Sequence, residues 1–149
     1  MKEYCNRWYV ICLIDGKKEI TTFTLDCIIK INNSAKPFKP NTSFDPENYF
    51  QHVIGIYRKQ DDKPVTIKIK VAPLQAAYFK TQPFHHTQKT INIFKDGSVL
   101  MQYNLIINLE LKQLLLSYAG SIKVIEPAGL RNETKEMVLR IFKDILLVF

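Results

Sequence analysis

With 149 residues and 46% hydrophobic side chains the chain can bury a core, as one domain or two small ones, which excludes a disordered tail or a low-complexity linker. No apolar run reaches the about 20 residues of a membrane span, and Met1-Lys2-Glu3-Tyr4-Cys5 is no apolar signal segment, so a cytoplasmic protein is expected. The formal charge of +7 favours an anionic partner without identifying it; it is spread over both halves, so a solvated lysine-rich surface and a phosphate-binding face both stay open.

The first element is Arg7-Trp8-Tyr9-Val10-Ile11-Cys12-Leu13-Ile14, whose two alternating sets are almost wholly apolar. That pattern predicts a central strand covered on both faces. Asp15-Gly16 predicts a tight hairpin turn, with Glu19 to Leu25 as the return strand. Cys5, Cys12 and Cys27 lack any Cys-x-x-Cys spacing and read as buried free thiols.

Arg7-Trp8-Tyr9-Val10, a short turn, then Thr22-Phe23-Thr24-Leu25-Asp26-Cys27-Ile28 resembles the core of the WYL domain. That resemblance implies a small Sm-like or SH3-like β-barrel, usually carried behind an N-terminal winged helix-turn-helix in bacterial transcription regulators. Val10 stands where the family has Leu, and Thr24 and Cys27 stand where arginines are typical, so half of the cationic lining is missing. The family's first strand is also lacking, so the chain reads as a fragment or shortened homologue with no DNA-binding domain.

Asn32 to Asn41 is a turn-rich connector, after which Asp45 should cap a short helix with Pro46 at its first position. Tyr49, Phe50 and Val53 would form its apolar face and Gly55 its end. A Phe-Asp-x-x-x-Tyr-Phe segment followed by Gly-Ile commonly closes a WYL domain, as Phe44 to Phe50 and Gly55-Ile56 do here. The polar stretch Lys59 to Pro64 is the best boundary, dividing a partial WYL domain at 1–60 from a second unit at 64–149.

In the second unit Val65, Ile67, Ile69 and Val71 alternate with Thr66, Lys68 and Lys70, a strand with one wet face. A helix opened by Pro73 follows, running through Leu74, Ala77 and Tyr78. A hairpin then joins Lys89–Phe94 to Val99–Ile107 through Lys95-Asp96-Gly97-Ser98. Asn108 caps a helix burying Leu111, Leu114, Leu115 and Tyr118, with Glu110, Lys112 and Gln113 in water. Ser121 to Glu126 is a fourth strand, and a last helix from near Asn132 carries the stripe Met137, Val138, Ile141, Phe142, Ile145 and Leu146. The order βαββαβ plus one helix is the ferredoxin-like unit, making the fold class α+β. His86-Thr87-Gln88, Gly120 and Val124 to Pro127 with Leu130 are similar to the C-terminal extension of WYL regulators.

No Gly-rich phosphate loop, Gly-x-Ser-x-Gly elbow, His-Glu-x-x-His or paired-cysteine zinc spacing is present, so neither enzyme activity nor a cofactor is expected. His85 and His86 are adjacent, and on an extended segment they would point apart and could not share a metal. Arg7, Trp8 and Tyr9 concentrate the functional reading, because a guanidinium grips phosphate and rings stack on bases. Alternation puts Arg7 and Tyr9 on a ligand side and Trp8 in the core; the other reading has both rings in the core. Lys18, Lys30 and Arg58 are candidate additional cations, His86 and Gln88 candidate surface contacts, and Asp26 a partner for Arg7. The resemblance implies a ligand-sensing and dimerising part of a bacterial regulator that binds nucleic acid or a nucleotide-like anion. A stand-alone RNA-binding module and a ligand-free oligomerisation module are the alternatives.

Overall fold

The computed structural model describes residues 1–17, 19–37, 40 and 44–146. Two antiparallel sheets organise them. Strands β1 (Lys2–Tyr4), β2 (Arg7–Leu13) and β3 (Ile20–Thr24) form the first in the order β1-β2-β3, so β2 is central as its composition predicts. A 3-10 turn over Leu25–Cys27 and helix α1 (Pro46–Phe50) follow, α1 starting where Asp45 accepts from the backbone N–H of Glu47 and Asn48. The β1–β2 connection depends on Cys5 and Asn6, both at positive φ, and nothing in the composition of Lys2–Tyr4 announces the strand.

The second sheet comprises β4 (Val65–Val71), β5 (Lys89–Ile93), β6 (Val99–Leu105) and β7 (Ile122–Glu126), side by side as β5-β6-β4-β7. Helices α2 (Pro73–Thr81) and α3 (Leu109–Ser117) complete a βαββαβ succession, and α4 (Ala128–Leu146) follows. Period-two alternation buries Ile67, Ile69 and Val71 of β4 beside Val99, Met101, Tyr103 and Leu105 of β6. Phe79, Leu111 and Leu115 from the helices close this core. Asn108 caps α3 by accepting from Leu111 N–H at 2.8 Å.

The core lies in the second half, and among the described residues ahead of Val53 none is fully buried. Three strands and a five-residue helix offer too little area to seal both faces of β2. The expected double coverage therefore fails: Trp8 is 49% exposed and Phe23 47%, so Trp8 is not a core anchor. The three thiols are free, but Cys5 and Cys27 are exposed and Cys12 half-buried.

Other expectations shift for local reasons. The tight turn at Asp15-Gly16 forms, with Lys17 N–H donating to the Ile14 carbonyl at 2.9 Å, while strand pairing stops at Leu13 and Ile20. Helix α2 buries Ala76 and Phe79 and leaves Leu74, Ala77 and Tyr78 outside. Glu110 and Lys112 do not face open water: Glu110 binds backbone of the first half, and Lys112 pairs with Glu133. Helix α4 begins at Ala128, four residues before Asn132.

Residues after α1 are stitched to the second half. Ile106 N–H donates to the His52 carbonyl at 2.8 Å, and Asn108 Nδ2 to the carbonyls of Ile54 and Tyr57 at 2.8 and 2.9 Å. Glu110 Oε1 accepts from Ile56 and Tyr57 N–H at 3.4 and 3.1 Å. Gly55 makes the close approach possible: its φ is +85°, and a Cβ there would meet Glu110 Cγ at 2.7 Å. Gly55→Ala should therefore destabilise the chain by about 2–3 kcal/mol in urea unfolding, against about 1 kcal/mol for Gly16→Ala, where φ is also positive but the space is open.

Candidate ligand-binding site

Alternation along β2 puts Arg7, Tyr9, Ile11 and Leu13 on one face, with Lys2 and Tyr4 of β1 and Ile20, Thr22 and Thr24 of β3 beside them. Helix α1 stands against that face and leaves a cavity on either side. Lys2, Ile11, Phe44, Phe50 and His86 line one, of about 750 Å³, where the Lys2 ammonium sits 4.7 Å from the Phe50 ring centroid. Ile20, Tyr49, Tyr57, Arg58 and Asp62 line the other, of about 740 Å³.

The residues singled out from the sequence separate in space. Arg7 is exposed, with Nε 3.6 Å from Asp26 Oδ2, the partner read for it from sequence. Tyr9 is half-buried on the same face, while Trp8 stands on the opposite face, on the side shared with Phe23. Lys30 is exposed on the extended stretch after the 3-10 turn, and Lys18 lies outside the described residues. His86 faces the first cavity.

Arg58 and Gln88 have structural partners. The Arg58 guanidinium donates to the Tyr49 carbonyl at 2.7 Å and the Asp62 carbonyl at 3.4 Å, and its carbon lies 4.9 Å from the Tyr49 ring centroid. It clamps α1 to the turn at Lys59–Asp62, where Lys59 N–H donates to Asp62 Oδ2. Burial raises the Tyr49 phenol above its ordinary value, with the Arg58 charge opposing that rise. Gln88 Nε2 donates to the Phe79 carbonyl at 2.7 Å while its Oε1 accepts from the Tyr103 hydroxyl at 2.7 Å, tying α2 to β6.

Lys2, Phe44 and Phe50 were not singled out as ligand contacts, yet all three line the first cavity. Phe50 was read as helix packing, Phe44 as part of the segment that closes a WYL domain, and Lys2 sits on a strand with no sequence signal.

All three histidines meet at the floor of the junction between the halves. The segment holding His85 and His86 is a turn, not a strand, so their rings do not point apart but stand 4.3 Å from each other. Thr87 N–H donates to His85 Nδ1 at 3.2 Å, which requires a lone pair there, and His52 Nδ1 donates to the Asn104 carbonyl at 2.9 Å. Among the described residues no group of three His, Cys, Asp or Glu side chains is arranged to hold a metal ion, and no helix is long and apolar enough to cross a membrane.

A family model described as the WCX domain matches residues 63–142. A search of curated proteins finds no match.

Burial first, then the charges of His86 and His52, holds His85 down at about 4 from its ordinary 6.5. An unfolded chain binds a proton at this position between those values and the folded one does not, so stability is complete above pH 6.5 and falls as pH drops toward 4. Urea unfolding should show a loss of about 1 kcal/mol between about pH 7.5 and about pH 5, discounted for the half-exposed ring, and His85→Gln should flatten that slope.

Proposed function

This chain belongs to the WCX-domain family, the C-terminal extension of WYL proteins, and from that premise we propose that it is the effector and dimerisation part of a WYL-type bacterial transcription regulator. Its ligand is a nucleic acid or a nucleotide-like anion, its role is binding without catalysis, and it works in the cytoplasm by passing its signal to a DNA-binding domain. The observation that carries the reading is the face of β2 where Arg7 and Tyr9 lie in line with the cavity of Lys2, Phe50 and His86. A phosphate between Arg7 and Lys2 and a base against Tyr9 or Phe50 would use the two kinds of contact such ligands need.

The open face of the second sheet supports an RNA-binding module less well. Its β6 positions are Leu100, Gln102 and Asn104, without a ring for stacking. Two of its lysines are engaged, Lys68 with Glu126 at 2.9 Å and Lys70 with Asp96 at 3.5 Å.

The far end of α4 supports the dimerisation part of this reading. Phe142, Ile145 and Leu146 are 57, 54 and 59% exposed and, with Ile141, form one stripe at helical spacing. Two such stripes packed together remove that apolar surface from water.

Titration of single-stranded DNA, RNA, duplex DNA and nucleotides at several salt concentrations tests the sensor. Saturable binding of one species, weakened by about 1–3 kcal/mol in Arg7→Ala, is the expected result. Steep salt dependence common to all polymers, unmoved by Arg7→Ala, would leave only a nonspecific basic surface. Phe142→Glu should turn a dimer into a monomer in sedimentation equilibrium without loss of helix content.

A further inference from the structure

Strand β7 is the last strand of its sheet, and among the described residues β4 is the one strand that pairs with it; at its start Ile122 is bridged to Ala119, with Ile122 N–H donating to the Tyr118 carbonyl at 3.2 Å, so the unpaired outer edge runs from Lys123 to Glu126. A groove of about 690 Å³ runs between this strand, α3 and α4. Ile122, Lys123 and Val124 line it in succession. Successive strand side chains point to opposite faces, so a groove that touches three in a row reaches the strand's edge and not merely one face. Its floor is aliphatic, with Leu116, Ile122 and Leu139, and its charged lining is wholly cationic: Lys123, Arg131 and Lys135. Among the described residues none of these three cations is in an ion pair; Arg131 instead reaches the Ile125 carbonyl at 3.5 Å. Glu133, on the same helix, is held by Lys112 of α3.

We infer that this groove is a docking site for an extended peptide segment of another protein, one that alternates apolar with acidic residues and adds a strand to β7. Each feature selects a property of that partner. The free edge supplies main-chain hydrogen bonds to an extended segment, the aliphatic floor takes every second side chain, and the cationic rim takes the carboxylates between them. A second copy of the chain complements the rim poorly, since the chain's net charge is +7 and residues 138–146 of α4 bring Arg140 and Lys143 against Asp144 alone. Nucleic acid is disfavoured because the lining holds no ring on which a base could stack.

The test uses the full chain and a fluorescent ten-residue peptide alternating valine or leucine with glutamate, followed by fluorescence anisotropy. Two control peptides replace glutamate by lysine or carry N-methyl groups on alternate amides. Saturable binding of the glutamate peptide is expected, weakened at least about tenfold by N-methylation and by Lys123→Glu with Lys135→Glu, both exposed positions whose exchange leaves the fold intact by circular dichroism. Equal binding of the lysine peptide, equal binding of the N-methylated peptide, or indifference to the two exchanges overturns the proposal. So does light scattering that shows a dimer broken by the same exchanges, which would mean that a second copy fills the groove. Lack of any binding of the glutamate peptide overturns it as well. Arg7 lies on the other sheet, so Arg7→Ala should leave this binding unchanged, which separates the result from the sensor reading.

Discussion

The arrangement depends on one buried amide. Asn108, 5% exposed, uses its oxygen to cap α3 and both hydrogens of its nitrogen to hold the carbonyls of Ile54 and Tyr57. A buried amide left without partners costs about 1–3 kcal/mol, so all three bonds must form together or not at all. The start of a core helix is thereby coupled to the segment that follows α1, and Glu110 adds two backbone contacts from the next position but one. Tyr4 of β1 feels the same carboxylate: burial first, then the Cys5 thiol and, among weaker charges, Glu110 push its phenol up to about 12. The candidate cavity between β2, α1 and His86 exists because this latch fixes α1 against a rigid second half.

The division of rigidity has a physical origin. The second half encloses Ile69, Val71, Met101 and Leu105 with essentially no exposure, whereas among the described residues of the first half none before Val53 is fully buried. Its order rests on strand pairing, the Asp45 cap and the Arg58 clamp, each a local interaction at or near the surface. Elements held this way open at lower free energy than a packed core, which is consistent with the binding role proposed for the face of β2. The same lack of cover explains why Trp8 and Phe23 remain half exposed on the other side of β2.

Much of the fold was legible in the chain, and the failures have a common cause. Strict alternation in Val65–Val71 and Val99–Leu105, with one face buried, left little choice of state or register. Caps at Asp45 and Asn108 were readable because a single side-chain oxygen decides them. Trp8 was misjudged because alternation tells which residues share a face and not whether another layer covers it. His85 and His86 were misjudged in the same way: an extended segment would separate them, but the turn before β5 brings the rings together. Lys2 escaped notice because a three-residue strand carries no period, and its place in the cavity comes from pairing with Tyr9 of β2.

Not every cation in a cationic protein is available to a ligand, and the distribution of partners sorts them. Arg58 is fixed by two carbonyls and a ring, so its charge supports the turn that it clamps. Lys68, Lys70 and Lys112 face carboxylates of their own sheet or helix layer. Arg7 shares Asp26 at 3.6 Å with both side chains more than half exposed, a pairing weak enough in water for a phosphate to displace. Lys2 is held over an aromatic ring at the wall of the first cavity. Loosely tied cations thus stand beside both candidate surfaces, the face of β2 and the rim beside β7. Both are bordered by apolar surface that water covers at a cost, and a ligand with charge and a hydrophobic body gains from both terms there where a bare anion gains from one.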